Sequence, residues 1–145
     1  MKGVSCITHC RSCGAKPLLP FFDLGKQPLA NSLLMRPTQK EKKYPLSLSF
    51  CTHCSLVQLN ETVDPRILFR VYPWVTGTSQ AARDFSVVFA SELLKRVARS
   101  GPFIVEVGSN DGTFLMPFQK KQLQILGIDP AKNIAVLANK KGIPT

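Results

Sequence analysis

Four cysteines fall into two pairs of equal spacing, Cys10-x2-Cys13 and Cys51-x2-Cys54. Two residues between thiols let the backbone curl so that both sulfurs face one tetrahedral ion, with Zn–S distances of about 2.3 Å. Gly14 follows the first pair and suits the tight turn. Two such pairs fill every position of a closed, structural zinc site. Further along, Glu106-x-Gly108-x3-Gly112 lies within FIVEVGSNDGTFL, from Phe103 to Leu115. A glycine turn between strand and helix lets a nucleotide-like ligand come close to the backbone. This turn lacks the spacing and the lysine of a phosphate loop. Its carboxylates, Glu106 and Asp111, disfavour an anion and suit a cation or hydroxyl groups. S-adenosylmethionine presents both, as sulfonium, ammonium and ribose. Asp129 comes 17 residues after Gly112, at the end of the next expected strand. An acidic residue placed there accepts hydrogen bonds from ribose hydroxyls in cofactor-binding α/β folds.

Each motif has a plainer alternative. The cysteines could be buried free thiols or a redox pair, although a redox CxxC belongs beside a βαβ pattern and neither pair has one. Cys6, His9 and His53 stand close enough to substitute as ligands, but four thiolates already complete a tetrahedron, so they are expected beside the site or on the surface. The glycine turn could be an ordinary βα connection with a capping Asn or Asp and a solvated Asp129.

The elements that must position these groups are readable in outline. CRSCGAKPLLPFFDLG reads as a knuckle and a short strand ending at Gly25, and Leu46, Leu48 and Phe50 alternate as a strand entering the second knuckle. Leu56, Val57 and Leu59 read as the strand leaving it, and KQPLANSLLMRPTQKEKK as a loop with a short turn of helix. Asp64 and Pro65 predict a capped short helix. Ala82, Phe85, Val88, Phe89, Leu93 and Val97 recur at helical spacing and predict an amphipathic helix from Ser79 to Arg99, stopped by Gly101-Pro102. A βαβα run follows: a buried strand over Phe103–Val107, a helix over Thr113–Lys121, a strand over Leu123–Ile128, and a helix over Ala131–Lys141 capped by Gly142. Pro117 is tolerable only near the first turn of its helix. The expected division is a zinc-binding domain over 1–63, a linker loop and helix over 64–100, and the start of a cofactor domain over 101–145. A two-stranded parallel piece leaves edges and apolar faces bare, so 101–145 is expected to be marginal alone.

Composition narrows the partners. Five cysteines, an odd number, argue against a disulfide framework. No uncharged apolar run approaches the roughly 18 residues of a membrane span. The segment MKGVSCITHCRSC lacks the apolar stretch of a secretion signal, so the expected location is cytoplasmic, with no membrane partner. The formal charge of +10 falls to about +8 once four thiolates hold a zinc ion. That sign suits nucleic acid or an anionic small molecule such as a sugar nucleotide.

Taken together, the motifs resemble the zinc-binding, S-adenosylmethionine-dependent sugar C-methyltransferases of deoxysugar biosynthesis, of the C-3 methyltransferase kind. The resemblance runs nearly end to end, through CRSCG, DLGKQPLANSLL, YPLSLSFCTHCSLVQL, YPWVTGTS, FIVEVGSNDGTFLMPF and LGIDPAKNIAVLANKKGIPT. It covers only the N-terminal portion of that family. It implies an α/β chain: a zinc-ribbon-like domain with a four-cysteine site, a linker helix, and the first βαβα part of a Rossmann-like class I methyltransferase domain. The implied reaction is methyl transfer to a ring carbon beside the ketone of a nucleotide-linked 4-keto-deoxysugar. A base removes the acidified proton and the enolate carbon attacks the methyl group.

The resemblance places cofactor contacts at Glu106, Gly108, Asn110, Asp111, Gly112 and Asp129, and structural zinc at Cys10, Cys13, Cys51 and Cys54. Tyr72 matches the first of the family's pocket tyrosines, whereas the second position is Trp74, which has no hydroxyl. The family's histidine base lies beyond Thr145, so the chain alone is expected to be inactive, the rest being a continuation or a second chain. The alternative is a non-enzymatic basic zinc-ribbon module binding nucleic acid. The lysines speak against it, being dispersed apart from clusters at Lys40–Lys43, Lys120–Lys121 and Lys140–Lys141, with no aromatic stripe between them.

Overall fold

The structure is a computed structural model and describes residues 3–97 and 100–145. The chain forms two compact units, Met1–Leu68 and Phe69–Thr145.

In the first unit, β2 (Leu18–Pro28), β3 (Lys43–Cys51) and β4 (Val57–Leu59) make an antiparallel sheet in that order. A smaller ribbon pairs β1 (Val4–Cys6) with β5 (Glu61–Val63). Gly25 does not end its strand. The pairing passes from Asp23↔Ser47 to Lys26↔Pro45, so Leu24 and Gly25 form a bulge and β2 runs on to Pro28. Gly25 has φ +66 and donates its N–H to Asp23 at 2.7 Å, a conformation glycine adopts without penalty. The loop between β2 and β3 contains isolated turns and no helical turn among its described residues; one is closed by Ser32 N–H to Leu29 O at 3.0 Å.

On β3 the alternation holds, but Leu46, Leu48 and Phe50 are half-buried while Ser49 and Cys51 on the opposite face are buried. Cys51 ties that second face to the sulfur cluster. The short helix α1 (Pro65–Leu68) forms as expected, with the Asp64 carboxylate accepting from Arg66 N–H at 2.9 Å. It packs within the first unit: Asp64 N–H donates to Gly3 O at 2.8 Å and Ile67 lies against Gly3.

The second unit contains α2 (Gln80–Arg96), β6 (Ile104–Val107), α3 (Met116–Lys120), β7 (Ile125–Ile128) and α4 (Lys132–Lys140). Strands β6 and β7 run parallel, in the register Ile104↔Ile125 to Val107↔Ile128. Ser79 caps α2 by accepting from Ala82 N–H at 3.3 Å, and Val97 is its C-cap, so the expected end at Arg99 lies outside the described residues. The buried residues of α2 are Ser86 and Ala90. Phe85, Val88 and Phe89, the expected inner face, are exposed by 57%, 59% and 42%. The two phenylalanines pair with each other, ring centroids 6.0 Å apart, and each meets the edge of Phe114, at 6.0 and 5.8 Å.

The strand β6 is likewise less buried than expected, with Val107 80% exposed, and among the described residues it pairs with β7 alone. Helix α3 starts later than expected, and Pro117 sits in its first turn, where its missing N–H is harmless. The core gathers Leu115, Ala138 and Ile143, with Ile104, Met116 and Ile125 packed against them. Gly142, at φ +76, ends α4 as expected, and Ile143 N–H returns to Ala138 O at 3.0 Å. Among the described residues no helix is long and apolar enough to cross a membrane.

Candidate functional site

The zinc centre is built by two equivalent turns. In the first, Cys10 N–H donates to Ala15 O and Gly14 N–H to Cys10 O, both at 3.0 Å. In the second, Cys51 N–H donates to Leu56 O at 2.9 Å and Ser55 N–H to Cys51 O at 2.8 Å. The four sulfurs of Cys10, Cys13, Cys51 and Cys54 all lie within 4.8 Å of one another. Cys10 and Cys54 are 3.6 Å apart, and Cys13 and Cys51 3.7 Å. Four sulfurs tetrahedrally placed about 2.3 Å from zinc stand about 3.8 Å from each other, so the cluster fits the ion and is far too open for disulfides.

Its electrostatics also fit. The N–H of Cys13, aided by that of Ser12 and by Gln58, lowers the Cys10 thiol to about 6 against the opposing effect of burial. For Cys54 the Leu56 N–H pulls down, yet the neighbouring thiols and burial together push it up to about 12. A metal that binds all four as thiolates displaces their protons to solvent, so its affinity depends on pH. Cys6, His9 and His53 are exposed and stand outside the four-sulfur cluster.

Sequence reasoning missed Gln58. It is 6% exposed on β4, and its Oε1 accepts from Arg11 N–H, inside the first knuckle, at 3.0 Å. The available signal was a glutamine between Val57 and Leu59 in an otherwise apolar strand.

In the second unit the turn Gly108–Gly112 joins β6 to the approach of α3. The N–H groups of Gly108 and Ser109 both donate to Ile128 O, at 2.7 and 3.3 Å. Gly108 has φ +76 and a Cβ there would meet nothing within 4 Å, which leaves open space against the backbone. Gly112 has the same φ, but a Cβ would strike Ile143 at 2.7 Å. Asp129, half-buried, bridges the turn and α4: Oδ2 accepts from Asn110 N–H at 2.9 Å and Oδ1 from Ala131 N–H at 2.8 Å.

Glu106 lies opposite Gly127, and its buried Oε2 has no hydrogen-bond partner. Burial pushes its carboxyl up to about 7, and the charges of Asp111 and Asp129 add to the rise. Asp111 is fully buried and engaged internally, with Thr113 Oγ1 at 2.7 Å, Gly77 N–H at 3.3 Å and an ion pair to Lys141. Burial alone would raise its carboxyl, but these donors, Lys141 foremost, hold it below the usual range.

Glu106, Gly108, Asn110 and Asp129 therefore converge on the turn, while Asp111 and Gly112 face inward to partners within the unit. Tyr72 is half-buried, and its backbone is tied to Asn133. Gly77, Asn133 and Lys141 lie within stretches that carry the resemblance, but nothing in their residue types or spacing marked them individually.

Residues 10–69 match a protein-family model whose description reads "Putative zinc binding domain". With the sulfur geometry, this makes the first unit a zinc-binding module. Over 142 residues the chain is 31% identical to C-methyltransferase NovU of Streptomyces niveus, an alignment covering 96% of this chain and 34% of that protein. The chain thus spans about a third of the length of the curated relative it matches. The resemblance to C-methyltransferases read from the motifs is borne out, as a resemblance to an N-terminal portion.

Proposed function

We propose that this chain is the N-terminal part of an S-adenosylmethionine-dependent C-methyltransferase acting on a nucleotide-linked 4-keto-deoxysugar. One observation carries the reading: similarity to a C-methyltransferase runs through both units, zinc knuckles and glycine turn alike. The order strand, turn, helix, parallel strand, helix supports it, being that of the first part of a Rossmann-like domain.

The residues at the turn suit the cofactor. Gly108 leaves open space for close approach, and the orphaned oxygen of Glu106 suits a cationic or hydroxyl donor. Each Asp129 oxygen has one N–H partner and a lone pair to spare for a ribose hydroxyl. When bound, S-adenosylmethionine would supply a methyl group on a sulfonium. Glu106 and Asp129 would hold and orient it, while Asp111 keeps the turn in shape from within. Tyr72 would border the sugar. The proton-abstracting base and the remaining strands would come from outside these residues, in the same polypeptide or a second chain, so these residues alone would not turn over. Zinc would hold the first unit together without touching the reaction, and its thiolates suit the reducing cytoplasm.

Calorimetric titration of the zinc-loaded chain with S-adenosylmethionine tests the proposal. We expect saturable binding that Asp129→Ala and Glu106→Ala weaken. Absence of saturable heat from the unaltered chain would overturn the cofactor assignment. Tight, steeply salt-dependent binding to duplex DNA would instead favour the nucleic-acid module.

A further inference from the structure

The segment from Arg70 to Thr76 has no strand partner, yet one of its edges is hydrogen-bonded at every second residue. Lys132 N–H donates to Arg70 O at 3.1 Å. Asn133 takes both polar groups of Tyr72, its Oδ1 accepting from the N–H at 3.0 Å and its Nδ2 donating to the carbonyl at 2.8 Å. Asn110 Nδ2 donates to Trp74 O at 3.2 Å, and its Oδ1 accepts from Thr76 N–H at 2.8 Å. In an extended chain the N–H and C=O of alternate residues point to the same side. Residues 72, 74 and 76 thus present one strand-like edge, which two asparagine side chains occupy where a neighbouring strand would lie, and Lys132 N–H extends the contact to Arg70 in the bend before it. Pro73 has no N–H and falls between the anchored positions. Val75, at φ −120 and ψ 112, is extended, in keeping with that geometry.

One carboxylate, Asp129, holds Asn110 directly and the start of the segment that carries Asn133. Asn110 donates its own N–H to Asp129 Oδ2, and Ala131, two residues before Asn133, donates to Asp129 Oδ1. Asn110 holds a left-handed φ of +50, so its side chain and its N–H are set by the same strained residue.

We propose that Asn110 and Asn133 are positioning residues that latch the loop bearing Tyr72 and Trp74 onto the turn and α4, and that a ligand engaging Asp129 is sensed by that loop. The coupling rests on the cofactor reading given under Proposed function; the latch does not. In a methyl transfer such a latch would set the aromatic wall of the acceptor pocket once the donor is in place. The loop residues would be aligned by the donor's arrival and not held independently of it.

The test has two arms on the zinc-loaded chain. In the first, amide exchange is measured without cofactor. The Tyr72 and Thr76 amides should be protected about tenfold or more. Asn133→Ala should release Tyr72 alone, and Asn110→Gly, which keeps the left-handed backbone, should release Thr76 alone, with β6 and α4 unchanged. Unprotected Tyr72 and Thr76 amides in the unaltered chain overturn the latch.

In the second arm, Trp74, the sole tryptophan, reports by fluorescence during titration with S-adenosylhomocysteine. Each protein is compared at concentrations calorimetry shows to be saturating. The unaltered chain should shift its emission and Asn110→Gly should not. Calorimetric binding without a shift overturns the coupling and leaves the cofactor reading standing. Absence of binding overturns the cofactor reading and the coupling together, and leaves the latch to the first arm.

Discussion

Gly14 and Ser55 occupy the same place in the two zinc knuckles. Each lies four residues after the first cysteine of its pair and donates its N–H to that cysteine's carbonyl, and each is left-handed, with φ +72 and +61. Glycine adopts that conformation freely, whereas a side chain is strained by about 1 kcal/mol or more, partly offset by glycine's greater freedom when unfolded. Ser55→Gly should therefore stabilise the zinc-loaded chain by about 0.5 kcal/mol, and Gly14→Ser should destabilise it by about as much. Denaturant unfolding measures both. Equal destabilisation by the two variants would mean that the knuckles are not equivalent.

The chain should carry one zinc ion, and replacing it with cobalt should give the thiolate charge-transfer bands of a tetrahedral four-sulfur site. Cys51→Ala should abolish those bands, and Cys6→Ala should leave them unaltered because Cys6 lies outside the cluster. Among the described residues of this unit few are buried: Cys10, Tyr44, Ser49, Cys51 and Gln58. Metal binding in such small modules contributes about 10–16 kcal/mol, so chelation should unfold β2, β3 and β4 together. Retention of strand signal in far-UV circular dichroism after chelation would contradict this.

The zinc site was legible because ligand spacing alone constrains its geometry, and the two parallel strands because apolar runs bounded by glycine and proline leave few alternatives. Other features depended on partners that no spacing reveals. A glycine in a strand reads equally as a stop or a bulge, and at Gly25 it is a bulge. The periodicity of Phe85, Val88 and Phe89 marks an apolar face but not what covers it, and the residues α2 buries within this unit are Ser86 and Ala90. Asn110 and Asn133 look like ordinary turn and helix residues in sequence. They converge on one loop only after β6 and β7 pair side by side and bring the turn next to the start of α4.

The two glycines of the turn should separate stability from binding. Gly112→Ala places a methyl against Ile143 in the core at a left-handed position and should cost about 2–3 kcal/mol of stability. Gly108→Ala meets nothing within 4 Å and should cost only the backbone strain of about 1 kcal/mol. The added methyl would fill the space assigned to the cofactor, however, so S-adenosylmethionine affinity should fall about tenfold or more. Thermal melts read the first effect and calorimetry the second. Undiminished affinity in Gly108→Ala would remove the cofactor from this face of the turn.

Glu106 and Asp111 should give pH dependences of opposite sign. Glu106 rises from an ordinary 4.5 to about 7 on folding, through burial and then the charges of Asp111 and Asp129. The folded state therefore binds the extra proton, and the stability it contributes is fully present below about pH 4.5 and lost as pH rises through 7. Asp111 is lowered by Lys141 and Thr113 in spite of its burial, so its contribution is present above its ordinary value of 3.8 and lost as pH falls below it. Glu106→Gln should flatten the slope between pH 4.5 and 7, and Asp111→Asn should destabilise the chain at neutral pH by about 1 kcal/mol, a modest cost because Lys141 is partly exposed and stays hydrated without its partner. Ligand binding should run against the first trend. A cationic cofactor prefers the ionised carboxylate, so affinity should rise about tenfold between pH 6 and 8 and lose that dependence in Glu106→Gln. Stability that rises with pH through 7, or affinity insensitive to pH in the unaltered chain, would show that Glu106 faces neither an apolar wall nor the ligand's charge.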